Sequence, residues 1–105
     1  MLDQSFFVST NVQERQVELP DGKKHTLFFK ELTAADIARY VNALNSSDEE
    51  TQVMANPKLI SSSLCDADGK KAITVEQAVN LKPSVIGAIL EAVRDVNGLG
   101  GEKKD

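Results

Sequence analysis

The chain of 105 residues has no tryptophan, one tyrosine, one histidine and one cysteine, and each scarcity removes a class of explanation. A lone Cys65 cannot close an intramolecular disulfide, so the fold must rest on an apolar core. A single histidine and a single cysteine leave no zinc-ligand spacing. Positive charge is not in excess: the formal net charge is −4, so no global field exists to neutralise phosphates. The lysine pairs Lys23-Lys24, Lys70-Lys71 and Lys103-Lys104 each stand beside Gly or Asp, as expected of solvated turns and a tail rather than a groove-binding face. Long apolar runs are also missing. The longest is interrupted by Gly87, Glu91 and Arg94, well short of the roughly 20 residues that span a bilayer. The first residues lack a basic segment followed by an apolar one, so the expected compartment is the cytoplasm.

What is present is ordinary for a globular protein: 41 % hydrophobic and 27 % charged residues, enough apolar material to fold the middle of the chain. A chain of this length hides roughly 60–65 % of its unfolded surface, which is one core and no more. The expected division is an N-terminal arm over 1–11, one globular domain over 12–98 and a flexible tail over 99–105. The expected class is α+β, mostly α, with an N-terminal β-hairpin followed by four to five short helices and a disordered C-terminal tail.

Phe6, Phe7 and Val8 lie on an arm without helical periodicity. Such an arm must lie against something, either its own sheet or a neighbouring copy, since exposed consecutive aromatics mark contact surfaces. Val12 to Leu19 and His25 to Leu32 read as strands, with Val17 and Leu19 sharing one face and Leu27 and Phe29 another. Pro20-Asp21-Gly22-Lys23 joins them: proline presets the first turn dihedral and glycine supplies positive φ. Thr33 caps a helix carrying Ala34, Ile37, Ala38, Val41 and Leu44 at helical spacing and ending near Asn45. After Asp48-Glu49-Glu50 a second stripe begins at Val53 and Met54. Pro57 interrupts it, so Asn56 is read as a fresh N-cap with Leu59, Ile60 and Leu64 facing inward, a kinked single helix being the alternative. Thr74 and Gln77 form a capping box for a short helix through Leu81. Lys82-Pro83-Ser84 opens the last helix, striped by Val85, Ile86, Ile89, Leu90, Val93 and Val96 and stopped at Asn97-Gly98. The expected core is Leu27, Phe29, Ile37, Val41, Ile60, Ile86, Ile89, Leu90 and Val93.

Constellations for chemistry are weak. His25 and Cys65 lack an orienting third group and a nucleophile elbow. Asp66-Ala67-Asp68-Gly69 resembles part of a calcium loop, but with Gly69 at position six the register puts Leu64 and Val75 where the first and last carboxylates belong. A turn held by Asp side chains accounts for it. The acidic run Asp48-Glu49-Glu50 is what a helix N-terminus favours. No catalytic, cofactor-binding or metal-binding residue is assigned.

Read in order, LPDGKKHTLFFKELTAADIARY, NPKLISSSLCDADGKKAITVEQAVNLKPSVIGAILEAVRDVNG and GLGGEKKD resemble the tail assembly chaperones of lambda-like and HK97-like siphophages over most of residues 15–105. The hairpin PDG, the strand ending in Glu31-Leu32-Thr33, the turn after Ser63-Leu64-Cys65 and the Gly-rich lysine tail carry the resemblance. It implies a non-enzymatic assembly factor in the host cytoplasm, absent from the virion, that keeps the tape-measure protein soluble and helps gather tail tube subunits. It also implies self-association and a longer product made by ribosomal frameshifting, which recruits the tube protein. Glu102-Lys103-Lys104 is encoded only by purine codons, which permits a slippery adenine run. Phe6, Phe7 and Phe28 are the candidate interface residues; no cofactor, nucleic acid or membrane is expected. The competing readings are a small structural connector or tail-completion protein of the virion, and a regulatory interaction domain.

Overall fold

The computed structural model describes residues 2–99. Two strands, β1 (Gln13–Glu18) and β2 (Lys24–Phe29), pair antiparallel with Gln13 opposite Phe29 and Val17 opposite His25. The turn between them forms as its residues dictate. The Gly22 amide donates to the Leu19 carbonyl at 2.9 Å, the Leu19 amide donates to the Lys23 carbonyl at 3.1 Å, and Gly22 takes a φ of 80°, open to glycine without strain. Period-two alternation then drives Val17 and Phe29 into the core.

The sheet has a third member. Leu64 and Cys65 form β3, which pairs antiparallel with β2 so that Phe28 faces Cys65 and Phe29 faces Leu64, giving the order β1-β2-β3. Leu64, expected on the inward face of a helix, is a buried strand residue. The pairing is extended by Ser63, whose carbonyl accepts from the Lys30 amide at 2.8 Å and whose buried hydroxyl donates to the Lys30 carbonyl at 2.9 Å. Two residues are too few for periodicity to reveal a strand.

Four α-helices complete the fold: α1 (Ala34–Leu44), α2 (Glu49–Ser63), α3 (Val75–Val79) and α4 (Pro83–Val96). The class is therefore α+β, as expected. The Thr33 hydroxyl accepts from the Asp36 amide while the Asp36 carboxylate accepts from the Thr33 amide, a reciprocal capping box at 3.1 Å each way. Thr74 and Gln77 repeat the device for α3. The expected break at Pro57 does not occur, and α2 runs unbroken through it. The Asn56 side chain, expected to cap a new helix, instead accepts from the Tyr40 hydroxyl at 2.8 Å. Pro57 is buried together with Ala55, Leu59 and Ile60, and that burial offsets the roughly 3 kcal/mol that an interior proline costs.

The core lies between the sheet, α2 and α4. Phe29, Ile60, Val93 and Ala78 are fully enclosed, with Val17, Leu32, Leu59, Leu64, Ile89, Leu90 and Val96 around them. Leu27, Ile37 and Ile86 pack at its margin. Val41, expected inside, is 44 % exposed. Asn97 ties the end of α4 to the chain entering α1: its Oδ1 accepts from the Leu32 amide at 2.7 Å and its Nδ2 donates to the Val93 carbonyl at 2.8 Å. The expected Gly-rich tail falls almost wholly outside the described residues.

Candidate functional site

The surface features that stand out are apolar side chains left without cover. On the N-terminal arm Gln4–Phe6 form a single 3-10 turn, initiated by Asp3, and Phe6 and Phe7 remain 71 % and 57 % exposed. The arm does not lie down on its own sheet. It is tethered by its end, where the Ser9 amide donates to Glu31 Oε1 at 2.8 Å. Phe28 is in a different setting: half-buried in β2, it alternates with the fully enclosed Phe29 and stands opposite Cys65 on the other face of the sheet. The three phenylalanines proposed from sequence thus occupy two separate places, the free arm and the sheet.

A second uncovered surface is on α1. None of its residues is buried, although its apolar stripe is as regular as that of α4. The reason is rotational. Asp36, Tyr40 and Ala43 face the cleft shared with α2, and at 3.6 residues per turn the stripe of Ala34, Ala38 and Val41 lies well around the helix from them. Ile37 and Tyr40 reach the core margin, while Val41 and Leu44 are 44 % and 43 % exposed. Val53, in the second turn of α2, is 56 % exposed near the same end of the helical hairpin.

Between α1, α2 and the start of α3 runs a cleft of about 260 Å³. Its floor is Ala43, Ala55, Leu59 and Val75, and its charged lining is Arg39, Lys58 and Lys71 with Asp36. Arg39 donates to Asp36 at 3.0 Å. Lys71 Nζ donates to the buried Ser61 hydroxyl at 3.0 Å, and neither Lys71 nor Lys58 has a carboxylate partner among the described residues. Burial opposes ionisation of Asp36, but the amide and hydroxyl of Thr33 and the Arg39 guanidinium outweigh it, so its pKa is lowered and it stays charged. The sequence reading missed this cleft because its cations come from three separate segments. A wider groove between β1 and α4 is crossed by the Arg15–Asp95 pair at 2.8 Å.

The chemical candidates behave as structural groups. His25 Nε2 is 2.9 Å from Asp21 Oδ2 in the hairpin turn, whereas Cys65 is buried in β3 and burial pushes its thiol pKa up, away from the reactive thiolate. Asp66 Oδ1 accepts from the Asp68 and Lys70 amides at 2.9 and 3.0 Å, closing the turn that resembled a calcium loop. Asp48 accepts from the Thr51 amide and hydroxyl at the start of α2. Among the described residues no three His, Cys, Asp or Glu side chains gather as a metal site, and no helix is long and apolar enough to cross a membrane.

A family model described as phage tail assembly chaperone, TAC, matches residues 1–97. The chain belongs to that family. A solved structure, that of the bacteriophage HK97 tail assembly chaperone, shares the fold of this chaperone with a TM-score of 0.59 and 16 % sequence identity, over 95 % of this chain and 92 % of that one. No curated protein matches the sequence. The family anticipated from the hairpin, the strand ending in Glu31-Leu32-Thr33 and the Cys65 turn is the one that matches, while the Gly-rich lysine tail that also carried the resemblance lies beyond the matched residues. The matched residues take in both uncovered surfaces, the phenylalanine arm and α1.

Proposed function

We propose that this tail assembly chaperone acts without catalysis, in the host cytoplasm, by holding apolar segments of the tape-measure protein against the uncovered stripe of α1. The observation that carries the reading is the absence of any buried residue on a helix whose apolar residues recur at core-forming spacing. Val41 and Leu44 supply apolar area on a rigid element, and Phe6 and Phe7 supply more on a tethered arm. A long client bearing many weak sites gains affinity when several copies bind in a row. Self-association of the chaperone belongs to the same reading, as does a longer frameshifted product that recruits the tail tube protein, with neither form retained in the virion.

Co-expression of the tape-measure protein from the same phage tests client binding. Wild-type chaperone is expected to raise the soluble fraction of the client and to co-purify with it, and the Val41→Asp, Leu44→Asp double variant to do neither while remaining folded. A client equally soluble with the variant would contradict the reading. For the longer product, mass spectrometry of the native gene expressed with its downstream nucleotides should detect a minor species departing from this sequence near Lys103-Lys104. Finding the 105-residue chain in purified virions would favour the connector reading instead.

A further inference from the structure

The cleft between α1, α2 and the start of α3 departs in charge from the chain around it. The formal net charge is −4, yet the cleft sets Arg39, Lys58 and Lys71 against the single carboxylate of Asp36. That carboxylate is already engaged, accepting from the Thr33 amide at 3.1 Å and from Arg39 at 3.0 Å. Lys71 is held by neutral groups. Its Nζ donates to the Ser61 hydroxyl at 3.0 Å, and that hydroxyl, on a residue 2 % exposed, donates in turn to the Ile73 carbonyl at 3.0 Å. The ammonium is thus fixed in place with its charge unanswered, and Lys58 on α2 likewise meets no carboxylate among the described residues.

Positioned cations above an apolar floor define the chemistry of an occupant. Ammonium and guanidinium groups are donors only, so what they meet is an anion. The cleft holds about 260 Å³, under the roughly 300–1,000 Å³ of small-molecule sites, which suits one or two side chains. Its floor of Ala55, Leu59 and Val75 is stabilised when an apolar group covers it and gains nothing from a phosphodiester. A nucleic-acid strand also needs a continuous track of cations, and beyond this hollow the negative chain repels it. We propose that the cleft binds an acidic amphipathic segment of another protein, with carboxylates on Arg39, Lys58 and Lys71 and an apolar side chain seated between them on the floor.

The site goes beyond the function proposed above and does not depend on it. It lies around α1 from the exposed Val41 and Leu44, and it selects by charge where that stripe selects by apolar area. Holding Lys71 in place through Ser61 lowers the cost of ordering it on binding. The Arg39 side chain is 73 % exposed, so part of the attraction acts through water, is screened by salt and supplies selectivity more than raw affinity.

Amide shifts of the ¹⁵N-labelled chain test the site. The probe is a short, terminally blocked helical peptide of Glu, Leu and Ala, compared with its analogue carrying Gln for every Glu. The Glu peptide should move the amides of Arg39, Lys58, Lys71 and Val75 together and saturably, less so at high salt, and the Gln analogue should move them far less. Lys58→Glu should weaken binding about tenfold, whereas Lys24→Glu, the same charge change on the hairpin, should leave it as in the wild type. Lys58→Gln serves as a second variant should the reversal disturb folding, and should weaken binding in the same direction. The inference is overturned by the absence of any shift, by equal binding of both peptides, by shifts confined to Val41 and Leu44, or by equal effects of Lys58→Glu and Lys24→Glu. Cleft amides that move on dilution of the chain alone would give the cleft to a second copy and overturn it too.

Discussion

Helices α1 and α4 carry similar amphipathic patterns and are held by opposite means. α4 has no side-chain bond at its N-cap, yet it buries Ile89, Leu90, Val93 and Val96. α1 has a complete capping box at Thr33 and no fully buried residue, Ile37 and Tyr40 reaching only the core margin. Burial holds the first of these helices in place, and local hydrogen bonds with one face against α2 hold the second. The contrast teaches that an apolar stripe is a statement about contact, not about whose contact it is. In α4 the chain supplies the cover itself, and in α1 it leaves Val41 and Leu44 exposed.

The sharpest way to break the comparison is truncation on both helices. Leu90→Ala should cost about 2–5 kcal/mol by removing enclosed methyl groups, whereas Val41→Ser should change stability by no more than about 0.5 kcal/mol, as exposed substitutions do. Denaturant melts at constant m-value check both. Equal costs would mean that α1 is covered after all. The joint between the helices comes next. Asn97→Ala removes the acceptor of the Leu32 amide and should cost about 1–3 kcal/mol by leaving that donor unpaired.

A smaller effect sharpens the contrast. Thr33→Ala should cost about 1 kcal/mol through lost capping, and because α1 has no buried side chain the loss should show as faster amide exchange confined to α1. The smallest effect is at the β3–α3 turn. The Lys70 amide, followed by those of Asp68 and Gly69, lowers the Asp66 pKa from the ordinary 3.8. A carboxyl whose folded pKa is depressed contributes stability above its unfolded pKa and loses it as pH falls through the folded value. Acid titration below about pH 4 should therefore destabilise the wild type slightly more than Asp66→Asn, as read from midpoints of unfolding.

Much of this was legible in the residues because the signals were local. The Pro20-Asp21-Gly22 turn, the Thr33 and Thr74 caps and the Pro83 helix start each depend on a handful of neighbours. What escaped depended on distant partners. Asn56 would cap a helix at Pro57 if Tyr40 did not occupy its side chain, and Leu64 is a strand residue because Phe29 lies opposite it. Val41 matched the core pattern, but the face that α1 turns toward α2 is set by Asp36, Tyr40 and Ala43. The cationic cleft could not be read from sequence, because Arg39, Lys58 and Lys71 meet only once α1, α2 and the β3–α3 loop are in place.

The central claim is that α1 is left uncovered for a client. Amide shift mapping of the labelled chaperone, titrated with a soluble apolar fragment of the tape-measure protein, tests it most directly. The account expects perturbations along Ala34, Ala38, Val41 and Leu44 with the buried positions of α4 unmoved; perturbations that spare α1 and fall elsewhere would contradict it.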